Sequence, residues 1–159
     1  MTVSDLLESA KAKGVMITTA ESCTGGMVAA ALTDIPGSSA VVERGFVTYT
    51  NTAKQQMLGV RKESLDAHGA VSEQVAREMA EGALRNSQAQ LAVSVTGIAG
   101  PGGSEFKPEG RVCFGVAGDG IPPMTETVEF GALGRDRVRR AARDHALALL
   151  SKALFSTAQ

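Results

Sequence analysis

The chain has no tryptophan, one tyrosine and only 4% aromatic residues. That scarcity excludes the stacking platforms on which proteins hold single-stranded bases. A basic excess is missing too: 16 Lys and Arg stand against 17 Asp and Glu, a formal net charge of −1. A general nucleic-acid binder carries a positive surplus, so no nucleic-acid partner is expected. No apolar run reaches membrane-spanning length, and the N-terminus lacks the basic start and apolar stretch of a secretory leader. Cys23 and Cys113 form no CxxC pair and read as free thiols of a reducing compartment, the cytoplasm by default. His68 and His145 are the only histidines, and neither has an evident triad partner. Asp, Glu and His show no metal-ligand spacing, so no metal and no cofactor are expected.

What remains is an ordinary globular composition, 43% hydrophobic and 21% charged over 159 residues. Without repeats or low-complexity tracts, residues 1–159 read as one domain with a real core. Val3 to Lys13 has helical spacing and stops near Gly14. Val15 to Thr19 reads as a strand, Met27 to Leu32 as a helix, and Ala40 to Thr50 as a second strand. A short helix is expected over Thr52 to Leu58, and a longer one after Ser72 with an apolar stripe of Val75, Met79, Ala83 and Leu84. Leu91 to Thr96 has the continuous apolarity of a buried strand. Arg111 to Ala117 and Thr125 to Phe130 are further strands, and Asp136 to Phe155 a terminal helix. Interleaved helices and strands imply an α/β fold, a three-layer α/β/α sandwich on a mixed, mostly parallel sheet. The apolar stripes of the first and last helices would serve a homo-oligomer as well as the core.

Small residues crowd one strand-to-helix junction, Ala20-Glu21-Ser22-Cys23-Thr24-Gly25-Gly26. Unpaired amides at the positive end of a helix suit an anion or a developing oxyanion beside an attacking hydroxyl. Ser22 is the candidate nucleophile, with Cys23, Thr24, Gly25 and Gly26 supplying amides. The plainer reading makes Ser22 or Thr24 a helix cap, and Cys23 is a rival nucleophile. The stretch is not a G-x-S-x-G elbow, because Ala20 and Thr24 hold the glycine positions.

With histidine scarce, a lysine is the next candidate base. Lys54 follows the strand that carries Tyr49, so amine and phenol could meet near its end; otherwise Lys54 is simply solvated. The loop from Thr96 through Gly97 and Gly100 to Ser104 lacks the lysine of a P-loop and the third glycine of a dinucleotide fingerprint. It reads as a backbone wall for a small ligand or as an ordinary turn. Arg135, Arg137, Arg139, Arg140 and Arg143 crowd the start of the last helix, either as a solvated face or as a source of phosphate contacts. Arg44 is a further arginine of that kind.

Together these segments resemble the CinA C-terminal domain family. The carrying residues are Thr19 to Gly26, Pro36-Gly37-Ser38-Ser39, Arg44 to Tyr49, His68 to Glu73 and Val95 to Gly103. They occur in the family's order across most of the chain, which is too short to hold the molybdopterin-binding-like domain of full-length members as well. The resemblance implies the stand-alone form, a deamidase of nicotinamide mononucleotide (NMN) in NAD recycling. It implies a serine nucleophile, a lysine base and a tyrosine, roles that fall on Ser22, Lys54 and Tyr49. Recognition of such a nucleotide needs a phosphate site, which we assign to Ser38, Ser39 and Arg140, with Arg44 or Arg137 as substitutes. The Thr96 to Gly100 loop would then cover the nicotinamide or the ribose. Some members of the family lack this activity, so a nucleotide-binding module without catalysis stays open, as does a cysteine hydrolase using Cys23.

Overall fold

A computed structural model describes residues 2–104 and 106–156 of the chain. Five strands form one sheet: β1 (Ile17–Glu21), β2 (Val42–Val47), β3 (Leu91–Gly97), β4 (Arg111–Gly118) and β5 (Ile121–Glu129). Their order is β2-β1-β3-β4-β5. β1 pairs parallel with both β2 and β3, whereas β4 is antiparallel to β3 and to β5. Only β4 opposes the others, so the sheet is mixed and mostly parallel.

Six helices cover it: α1 (Val3–Lys13), α2 (Met27–Thr33), α3 (Asn51–Leu58), α4 (Lys62–His68), α5 (Glu73–Arg85) and α6 (Arg135–Ser156). α1, α2 and α6 pack together on one face, and α3 and α4 pack on α5 over the other. The three layers follow from alternation along the strands. In β3, Leu91, Val93 and Val95 join the core beneath α1, α2 and α6. Ala92, Ser94 and Thr96 face the α5 side, where small residues let a helix backbone approach; Ser94 Oγ donates to Ala76 O. The apolar stripes of α1 and α6 (Leu6, Leu7, Ala10; Ala142, Ala146, Leu150, Leu154) are buried in this chain's own core.

Boundaries shift where competing signals were strong. The second strand is shorter than Ala40–Thr50, because a 3₁₀ turn takes Ser38–Ala40 and Thr50 caps α3. α4 was not expected; with only Leu65 and Ser64 buried, its apolar periodicity is too short to register. β5 begins at Ile121 rather than Thr125, since Pro122 and Pro123 are tolerated on an edge strand. The Asp119-Gly120 pair that joins β4 to β5, with Gly120 at φ +76°, is the signal that would have revealed this hairpin.

Gly82 of α5 determines how closely α3 can lie. A Cβ there would sit 1.9 Å from Leu58 O, at the end of α3. Overpacking costs about 1–3 kcal/mol, and a backbone clash this short belongs at the top of that range. A helix-propensity gain of about 1 kcal/mol for alanine offsets only part of it. Gly82→Ala should therefore lower the unfolding free energy by about 2 kcal/mol in urea titrations. An unchanged midpoint would mean that this contact does not set the α3–α5 spacing.

Candidate active site

β1 ends at Glu21, and Ser22 prolongs the pairing with β3 through an N–H bond to Val95 O (2.9 Å). The chain then turns: Gly25 N–H donates to Ser22 O and Met27 N–H to Thr24 O, both at 3.0 Å. Neither Ser22 nor Thr24 caps α2. Its N-cap is Gly26, at φ +108° and without a side-chain bond. The cap is supplied instead by Glu21, itself 1% exposed. One carboxylate oxygen accepts from Gly26 N (3.2 Å) and Val28 N (2.9 Å), the other from Ala29 N (3.0 Å). The first-turn amides of a helix lack intrahelical partners and lie at its positive end, which suits a carboxylate.

This corrects the picture of an oxyanion held by the α2 dipole. The Gly25 and Gly26 amides are already engaged, one by Ser22 O and one by Glu21. Among the described residues, the turn's amides without a bond to another residue are those of Cys23 and Thr24.

Lys54 is not solvated. Thr50 caps α3 through Ala53 N–H (3.0 Å), so Lys54 projects from the first turn and is only 1% exposed. It is the bulkiest fully buried side chain among the described residues. Its Nζ lies 2.9 Å from Ser22 Oγ, 2.9 Å from Thr48 O and 3.3 Å from Tyr49 O. A neutral amine has two hydrogens and one lone pair. An ammonium could donate to all three oxygens, whereas the neutral amine could give its hydrogens to the two carbonyls and turn its lone pair to the Ser22 hydroxyl.

The two polar groups of Tyr49 meet different partners. Its carbonyl accepts from Lys54, while its side chain is 57% exposed and its hydroxyl accepts from Arg135 Nη2 (2.8 Å). Arg135 Nη1 also donates to Gly100 O (2.8 Å), so this first residue of α6 ties Tyr49 to the glycine-rich loop.

Ser22, Lys54, Tyr49, Thr96, Gly97, Gly100 and Arg135 line one cavity of about 350 Å³. Its far wall is braced by Thr96 Oγ1, which donates to Ala70 O (2.9 Å), and by Lys107 Nζ, which reaches His68 O and Val71 O. Glu109 accepts from Gly102 N (2.7 Å) and Gly134 N (3.0 Å), joining the loop to the approach of α6. Gly100 is needed here: its φ is +93°, and a Cβ would lie 2.5 Å from the Glu109 carboxyl carbon. Among the described residues, no three metal-ligating side chains come together.

Five expected phosphate contacts lie elsewhere. Ser38 Oγ donates to Thr33 O at the far end of α2, and Ser39 follows it in the 3₁₀ turn. Arg44 pairs with Glu43 and donates to Asn86 O, near the entry to β3 and so toward the opposite end of the sheet. Arg140 pairs with Asp136, and Arg137 is exposed without lining the cavity. Arg135 is the arginine that lines the cavity. Arg139 also has a defined partner set: its Nε donates to Cys23 O (3.0 Å) and its Nη2 to Thr24 O (3.4 Å). Cys23 lines the cavity but is 5% exposed, and burial pushes its thiol up to about 11. It stays protonated at neutral pH, which disfavours it as a nucleophile.

The family model of the CinA C-terminal domain matches residues 2–154. The nicotinamide-nucleotide amidohydrolase PncC of Escherichia coli K12 is 56% identical over 147 residues, covering 90% of this chain and 87% of its own. A CinA-like protein of Chlorobium phaeobacteroides is 53% identical over 151 residues, 91% of this chain but only 35% of that longer protein. Among solved structures, the competence/damage inducible protein CihA of Agrobacterium tumefaciens superposes with a TM-score of 0.92 at 50% identity, covering 96% of this chain and 92% of that one. A CinA superfamily protein from Escherichia coli gives 0.89 at 39% identity, covering 94% and 87%. The chain belongs to the CinA C-terminal domain family.

Proposed function

We propose that this chain is a serine amidohydrolase that converts NMN to nicotinate mononucleotide and ammonia. The observation that carries the reading is the buried Lys54 Nζ at 2.9 Å from Ser22 Oγ, opening on the cavity. The similarity to a nicotinamide-nucleotide amidohydrolase over 90% of the chain supplies the substrate class. The free, buried thiols of Cys23 and Cys113 suit a cytoplasmic setting.

Burial disfavours a charged ammonium, which favours the amine form that catalysis needs. Neutral Lys54 takes the Ser22 proton as the hydroxyl oxygen attacks the carboxamide carbon. The carbonyl oxygen becomes an oxyanion, met by the Cys23 and Thr24 amides. One such donor is worth about 3–4 kcal/mol of barrier. Lys54 then gives its proton to the departing nitrogen, the C–N bond breaks, and ammonia leaves an ester on Ser22. Water enters and loses a proton to Lys54 as its oxygen attacks the ester carbon; Lys54 returns that proton to the departing Ser22 Oγ as the C–O bond breaks, and the acid released ionises to the carboxylate. Arg135, one turn from the nucleophile loop's own arginine, offers the cavity its cation for the phosphate.

The rival reading of a binding module that holds phosphate at the α2 start loses its footing, because Glu21 already occupies that helix end. Ser22→Ala should abolish ammonia release from NMN, measured by a coupled assay, while Cys23→Ala keeps it within about threefold. The opposite pattern would transfer the nucleophile to Cys23. Activity should fall as pH falls, because protonation removes the Lys54 lone pair; a kcat/KM profile flat through the acidic range would exclude an amine base. Arg135→Ala should raise KM about tenfold or more with a much smaller change in kcat. A change confined to kcat would remove Arg135 from phosphate binding.

A further inference from the structure

The nucleophile turn is held by two charged side chains that take no part in the proton transfers. Glu21 reaches forward from β1 to three amides of Gly26, Val28 and Ala29. Arg139 reaches in from α6 to the carbonyls of Cys23 and Thr24, close enough that a Cβ on Gly25 would lie 3.4 Å from its Nη2. Between them, with Val95 O and the turn's internal bonds, they account for the backbone N–H groups of residues 22–29 apart from two, those of Cys23 and Thr24.

The direction of those donors follows from peptide planarity, since C=O and N–H of one trans unit point in opposite directions. With Cys23 C=O drawn toward Arg139, the Thr24 N–H points away from α6. With Ser22 C=O accepting from Gly25 N, the Cys23 N–H points out of the turn. Both donors belong to the two peptide units that follow the nucleophile. A charge on each clamp matters, because charged hydrogen bonds hold geometry more firmly than neutral ones.

We infer that Glu21 and Arg139 are positioning residues that aim the Cys23 and Thr24 amides at the oxygen of the attacked carboxamide. The inference rests on the deamidase reading above. Neither residue touches substrate; each acts on the direction of a backbone dipole that is felt only as the oxyanion develops. Losing their hold should therefore change kcat and leave substrate binding alone.

The test uses the intact chain as wild type, Glu21→Gln, Arg139→Lys and Arg139→Ala. Glutamine keeps the size of Glu21 but turns an amide hydrogen toward one of its donors. Lysine keeps the charge of Arg139 but cannot span both carbonyls with a fork. Kinetics on NMN should show kcat lowered by about 10- to 100-fold in each variant, less than or equal to the loss of one oxyanion donor. KM should stay within about twofold, as should the NMN affinity measured calorimetrically with each change placed on Ser22→Ala. Added guanidinium should restore part of the kcat of Arg139→Ala. Unchanged kcat in the Arg139 variants overturns the inference, as does a parallel loss of kcat, NMN affinity and thermal midpoint. If Glu21→Gln does not fold, the Arg139 pair decides alone. A wild-type protein that releases no ammonia from NMN overturns the deamidase reading itself and this inference with it, whereas an active wild type with indifferent variants overturns only the positioning roles.

Discussion

The contact between the Lys54 amine and the Ser22 hydroxyl constrains the rest of the molecule. It requires a lysine to be fully buried, which is costly unless its hydrogens find acceptors. The end of β2 supplies them: two consecutive carbonyls, Thr48 and Tyr49, turn toward the amine before the chain enters α3. The amine is thus bound by the segment that precedes its own helix, and the loop from β2 to α3 becomes part of the site. α3 must lie low over the sheet for this to happen, and the missing side chain at Gly82 permits it.

The end of β1 serves two layers at once. Adjacent residues of an extended strand point to opposite faces. Ala20 packs with Leu58 and Met79 beneath α3 and α5, Glu21 turns to the α2 side, and Ser22 returns toward Lys54. One residue therefore anchors the turn while its neighbour reacts. The positive end of α2, which looks in isolation like an invitation to a substrate anion, is consumed by this anchoring. The anion-stabilising role passes to loop amides that the helix does not own.

Much of the fold was legible because its signals are local and periodic. The buried run of β3, the Ser72 cap of α5 and the Gly14 stop of α1 all lie where the pattern put them. Ser22 and Lys54 were legible as candidates by residue type and elimination, but their meeting was not, because 32 positions separate them and only the parallel pairing of β1 with β2 brings them together. Glu21 was passed over since a carboxylate beside a proposed nucleophile carries no pattern of its own. Its trace was indirect, a helix start at Gly26 with no Ser, Thr, Asp or Asn in the cap position.

The arginines teach a sharper lesson, because five of them lie within nine residues and their order alone does not separate them. Helical periodicity does. The buried face of α6 is marked by Val138, Ala142, Ala146 and Leu149, and a step of three residues back from Val138 and from Ala142 reaches Arg135 and Arg139. Arg137 and Arg140 fall on the opposite face, where Arg140 pairs with Asp136 instead. The face that seals the core thus also delivers two guanidinium groups to the carboxyl ends of β1 and β3. Those ends lie where one connection leaves toward β2 and the other toward β4, the crevice at which open α/β sheets take their ligands. Packing and function select the same stripe of α6, so a core substitution such as one at Val138 reaches the site through the angle at which Arg135 and Arg139 arrive.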